Sequence, residues 1–197
     1  MIAWINFAIL LVAGLLFVYL YILSVGPAAL EKKIGPSAYA VCARYRFISI
    51  VMMLVALGNY GVYYFYPLPV PLPRTFPWLW GVSAMIAVVL AIPSGYLMIH
   101  GMIDAGEEAM IPKKEHALYG GIYKIIRHPQ AWEAVLWFVV AFLLHSPFLV
   151  LFSFVWLPLE YAMVMAEERD LIIRFGQVYK NYRKRTGAFW PWRKPVE

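Results

Sequence analysis

The chain has 197 residues, of which 63% are hydrophobic and 14% charged, with a mean hydropathy of +0.68. Soluble domains carry about 45–50% apolar and about 25% charged residues, so this composition excludes a disordered chain, a disulfide-rich secreted domain and an ordinary soluble enzyme. The formal charge of +6, from 17 Lys and Arg against 11 Asp and Glu, sits between apolar runs, where bases set topology and meet lipid headgroups; no nucleic-acid partner is expected.

A membrane-crossing helix needs about 20 apolar residues. Residues 2–25 supply the first. The first Lys is Lys32, so this run lacks the basic start of a signal peptide and reads as a span. Residues 47–66 supply the second. Alternating prolines at Pro67, Pro69, Pro71 and Pro73 then predict an extended loop. The third span covers 78–100, and Pro93 with Gly95 predicts a kink.

Residues 101–128 form a polar segment. Two shorter apolar runs follow, 130–145 and 148–166, divided by His145, Ser146 and Pro147; they predict a tight hairpin that crosses and returns. From Glu167 the sequence stays helical but becomes charged. Leu171, Phe175, Val178 and Tyr182 fall on one stripe, the pattern of an amphipathic helix at the membrane surface. The expected fold is therefore all-α: a polytopic membrane protein of five transmembrane helices, the last two a hairpin, with a C-terminal amphipathic helix. No sequence repeat is evident.

Lys and Arg alternate between rich and poor segments. The 31–46 and 101–128 segments carry four each, the tail from 167 carries eight, and the Pro-rich loop has only Arg74. The positive-inside rule then predicts an external N-terminus and a cytoplasmic C-terminus. Cys42 is the single cysteine, which precludes an intrachain disulfide.

Polar functional groups concentrate in 113–133 and 160–185, the two segments flanking the hairpin. A hairpin brings its own ends together, so His128 and Glu167 are expected to be neighbours. Taken singly, Arg127 reads as a lipid-phosphate contact, His128 as an interfacial cap, and Glu167 with Glu168 as a solvated helix end. Glu133 and Glu160 lie within apolar runs, where a carboxylate tends to face a pocket or a partner. No GxGxxG, P-loop, HExxH or GxSxG motif occurs, and no Cys/His cluster suggests a metal.

The order His116-x-Leu118, Gly121-x-Tyr123, Arg127-His128-Pro129, then Glu167-Glu168-x-x-Leu171-x-x-x-Phe175-Gly176-x-x-Tyr179-x-x-Tyr182 resembles the isoprenylcysteine carboxyl methyltransferase family over about residues 113–191. Related membrane phospholipid methyltransferases share the general pattern. The resemblance implies S-adenosylmethionine as cofactor, with S-adenosylhomocysteine as product, and a lipophilic acceptor that enters from the bilayer. It implies cofactor-binding roles for His116, Leu118, Tyr119, Tyr123, His128, Pro129, Gln130, Ala131 and Glu167.

The chain departs from the family at three places. Ala131 stands where a tyrosine is common, and Glu133 where a glycine often occurs. Met163 replaces an arginine that touches substrate in the eukaryotic prenylcysteine enzymes. The implied organisation is a single membrane domain over 1–197, with a three-helix part at 1–100 and a cofactor-binding part at 101–197. The implied reaction is methyl transfer to a lipophilic acceptor, a carboxylate in prenylcysteine O-methylation.

A carboxylate acceptor needs no base, whereas an amine would need one. No catalytic residue stands out, and the mechanism is one of positioning, with Arg127 and Glu168 as the candidates. Other readings of such a helical core are a phospholipid N-methyltransferase, a membrane reductase, a heme- or quinone-linked protein, or a non-catalytic lipid-binding protein.

Overall fold

A computed structural model describes residues 1–114 and 120–191. Among these, every regular element is helical: α1 (Ile2–Ser24), α2 (Pro27–Ile34), α3 (Ala38–Phe65), α4 (Trp80–Ala105), α5 (Glu133–Leu143), α6 (Pro147–Ser153), α7 (Trp156–Phe175) and α8 (Gln177–Arg185). Short 3-10 turns join several of them, including Gly121–Lys124 and Pro129–Trp132.

Four helical stretches are long and apolar enough to cross a membrane: Ile2–Ser24, Pro27–Phe65, Trp80–Ala109 and Pro147–Phe175. With an apolar exterior at residues such as Val89, 70% exposed, the chain is an integral membrane protein. The fifth expected span, 130–145, corresponds to the shorter apolar helix Pro129–Leu143. The second span starts earlier than its apolar run, at Ala38, because charged and polar residues of 38–46 continue the helix. The Pro-rich segment is irregular, and Val70 and Leu72 donate backbone hydrogen bonds to the carbonyls two residues back. Pro93 is inside α4.

The tail differs from expectation. α7 continues to Phe175 and breaks at Gly176, whose φ is +55°. That left-handed residue ends one helix and re-phases the next. The expected stripe is accordingly broken: Val178 is exposed and Tyr179 is buried instead.

α1 packs along α3, and α4 along α5. The core is aromatic where α1, α3, α5 and α7 meet. Trp137 stacks on Trp156 at 4.2 Å between centroids. A polar group cannot remain unpaired in hydrocarbon without cost, and here Trp156 Nε1 donates to the Tyr60 hydroxyl at 2.8 Å, which lies 3.2 Å from Ser153 Oγ. Gly14 on α1 leaves room for the indole: a Cβ there would stand 2.6 Å from Trp156 Cη2.

The α5–α6 turn is equally specific. His145 adopts φ 55°, Pro147 occupies the first turn of α6, and Ser146 accepts from Leu149 N. His145 Nδ1 meets Ser83 Oγ at 2.7 Å, tying the turn to α4.

Candidate functional site

The hairpin ends converge as the sequence order required. Arg127 N donates to Gly187 O at 2.9 Å and His128 N to Ala188 O at 3.0 Å. These bonds anchor the 126–128 strand-like segment to the chain after α8. Pro129 then starts the 3-10 turn that leads into α5.

This backbone places His128 between two consecutive glutamates of α7. Nδ1 lies 3.4 Å from Glu167 Oε2, and Nε2 lies 3.2 Å from Glu168 Oε1. Burial alone would lower the imidazole pKa, but hydrogen bonds to Glu167 and Glu168 outweigh it and hold the group above its ordinary value. A carboxylate on each ring nitrogen requires a proton on each, so His128 is an imidazolium clamp.

Glu168 is buried and also meets Arg127 and Arg183, the latter at 3.3 Å. Arg127 further donates to the carbonyl of Arg183 at 3.0 Å and to that of Thr186. Arg127 and Glu168 therefore satisfy one another and the tail. Glu167 is different: its side chain is one-third exposed and lines the large cavity.

That cavity measures about 430 Å³ and lies between α3, α4, α5, α7 and α8. Small-molecule sites typically occupy about 300–1,000 Å³. Five carboxylates reach it: Glu108, Glu133, Glu160, Glu167 and Asp170. Facing them are Arg46 of α3 and Arg174 of α7, each with a buried Nε that has no hydrogen-bond partner among the described residues. One other nitrogen of each is engaged. Arg46 Nη1 donates to the carbonyls of Glu108 and Ala109 at 2.9 and 3.0 Å, and Arg174 Nη2 meets Glu108 Oε1 at 2.8 Å.

Asp170 accepts from the backbone of Ala29 at 2.8 Å and Ala28 at 3.2 Å. This joins α7 to the first turn of α2.

Tyr123 is positioned by a second clamp. Gly121 has φ +55°, and a Cβ there would collide with the Asp104 carboxylate, which accepts from Ile122 N at 2.6 Å. The following Tyr123 hydroxyl donates to Gly101 O at 3.1 Å and receives Gln130 Nε2 at 3.2 Å. Burial pushes the Tyr179 and Tyr182 phenols well above the usual range, so both stay neutral.

Tyr123, His128, Pro129, Gln130, Ala131 and Glu167 thus line one cavity. His116, Leu118 and Tyr119 lie outside the described residues. Arg46, Arg174 and Asp170 were not singled out by the sequence. Arg46 adjoins an apolar run and was counted only as a topological charge; its distance in sequence from the other site residues left no signal. No cluster of His, Cys, Asp and Glu able to hold a metal occurs among the described residues.

A helical membrane protein with a charged, ligand-sized cavity at the hairpin base defines the class. Over 95 residues the chain is 36% identical to methanethiol S-methyltransferase 1 of Bradyrhizobium diazoefficiens. The match covers 46% of this chain and 30% of that protein, so the chain spans less than a third of the curated relative's length. This similarity supports a methyltransferase-like membrane protein. No family model and no solved structure matches.

Proposed function

We propose that the protein transfers a methyl group from S-adenosylmethionine to a lipophilic acceptor, within the membrane and facing the cytoplasm. The observation that carries this reading is the Glu167–His128 pair on the wall of the 430 Å³ cavity, in a chain similar to a methyltransferase. The donor's charges suit the residues present. Glu167, a carboxylate turned into the cavity, pairs with the ammonium. The unpartnered Nε groups of Arg46 and Arg174 can receive the carboxylate. Tyr123, held by Gly101 and Gln130, offers a ring to the adenine or sulfonium. His116, Leu118 and Tyr119 complete the cofactor site in this proposal.

When bound, the cofactor supplies an electrophilic methyl on a sulfonium. The protein's part is to align donor and acceptor and to exclude water, which can contribute much of the barrier reduction. Arg127 and Glu168 act as positioning residues: they fix His128 and the 183–189 segment. The acceptor of the relative, named methanethiol, favours a sulfur nucleophile over the carboxylate of prenylcysteine.

Isothermal titration of the purified protein with S-adenosylhomocysteine tests the reading. Saturable binding is expected, weakened at least tenfold in Glu167→Gln. No binding at millimolar ligand overturns it.

A further inference from the structure

A second cavity of about 310 Å³ adjoins the first and has a different character. Its walls are almost wholly apolar and include Trp132, Val135, Leu157, Tyr161 and Trp190. Leu157 and Tyr161 are partly exposed, at 42% and 55%, so this cavity borders the outer face of α7. Two residues line both cavities, Ala131 and Glu160. Ala131 puts only a methyl group on the wall that the two cavities share.

Glu160 therefore stands at the junction of a polar chamber and an apolar one. Glu133 lines the polar chamber and lies within electrostatic reach of Glu160. Among the described residues neither carboxylate has a hydrogen bond or an ion pair. Each sits in an apolar helix, where an uncompensated carboxylate is expensive and marks function. A separate feature points the same way: the residue Tyr179, 1% exposed, lines the polar chamber, and its hydroxyl has no hydrogen-bond partner among the described residues.

Resting on the methyltransferase reading, we infer that Glu160, backed by Glu133, is the proton acceptor for a neutral thiol whose apolar chain occupies the second cavity. A carboxylate at the junction, with a second one in the adjoining polar chamber, disfavours a carboxylate acceptor and offers an oxygen to a proton. A thiol must lose its proton to become the nucleophile. In the step, the thiol S–H bond breaks and its proton passes to a Glu160 carboxylate oxygen. The acceptor sulfur forms the new S–CH3 bond as the donor's S–CH3 bond breaks, and that bonding pair returns to the donor sulfur. The products are a thioether, S-adenosylhomocysteine and a protonated Glu160.

The test uses the full chain in lipid nanodiscs with labelled methyl donor and octanethiol, octylamine or octanoate. Octanethiol is expected to be the methylated member. Glu160→Gln should lower kcat at neutral pH about 100-fold or more, the usual reach of a general base. Its S-adenosylhomocysteine affinity should stay within threefold, which also reports an intact fold. Activity of the variant should climb about tenfold per pH unit as the thiol ionises by itself, while Glu160→Asp should restore part of the neutral-pH rate.

The inference is overturned if Glu160→Gln retains kcat within threefold or loses product affinity. It is also overturned if octanethiol is inert while the product binds, or if octanoate or octylamine is preferred. Absence of product binding in the unaltered protein would instead overturn the methyltransferase reading itself.

Discussion

Arg127 and Glu168, 41 positions apart in the chain, meet through a fork: Nε at 2.9 Å and Nη2 at 2.8 Å from the same Oε1. The pair is nearly enclosed, with side-chain exposures of 10% and 3%. Breaking a buried pair from one side leaves an uncompensated charge and costs about 3–5 kcal/mol. Arg127→Ala is therefore expected to lower the thermal midpoint. It should also accelerate hydrogen exchange at the amides of 127 and 128, which bond to Gly187 and Ala188. Arg127→Lys keeps the charge but not the fork, and should recover only part of the loss. Unchanged exchange in Arg127→Ala would show that the tail is anchored elsewhere.

The His128 clamp makes stability depend on pH with a defined sign. Its pKa in the folded protein is raised, so the protonated form binds more tightly to the fold than to the unfolded chain. The resulting stabilisation is complete below the ordinary value of about 6.5 and is lost as pH rises through the folded pKa. Thermal midpoints measured from pH 6 to pH 9 should fall, and His128→Gln should flatten that slope. An equal slope in the variant would assign it to another group.

Gly120 and Gly121 are adjacent and should respond very differently to substitution. Gly121→Ala forces a side chain into a left-handed φ and into the Asp104 carboxylate; strain of this kind costs about 1–3 kcal/mol. A Cβ at Gly120 meets nothing within 4 Å. Gly121→Ala should weaken S-adenosylhomocysteine binding by displacing Tyr123, with Gly120→Ala near neutral. Titration of both variants measures the contrast.

Behind the site, Gly14→Val should destabilise by about 1–3 kcal/mol through overpacking against Trp156. Gly58→Ala, in open space, should not. Parallel melts of the two variants, read with the near-ultraviolet circular dichroism of the stacked Trp137 and Trp156, test this packing.

Hydropathy located the spans well because lipid imposes long apolar runs, and hairpin logic brought His128 to Glu167, 3.4 Å apart. Other features depend on three-dimensional information. Residues 130–145 read as a full span, whereas the helix there, Pro129–Leu143, is shorter than the four long ones. A single glycine at 176 re-phased the tail and exchanged Val178 for Tyr179, which periodicity alone does not reveal. Arg46 and Arg174 carry the same charge as the headgroup-facing bases, so only packing separates them. Arg127, conversely, reads singly as a lipid-phosphate contact and is engaged by Glu168 and two carbonyls.

The short helix has a mechanical consequence. Pro129–Leu143 rises about 22 Å at 1.5 Å per residue, against a hydrocarbon thickness of about 30 Å. Lipid beside it must thin, or water and headgroups must sink to meet its ends. The cavity, with its five carboxylates, lies at the N-terminal end of this helix. On the proposed methyl-transfer reading, a soluble donor reaches this level without crossing the full apolar slab, and thicker membranes should slow the transfer by deepening that descent.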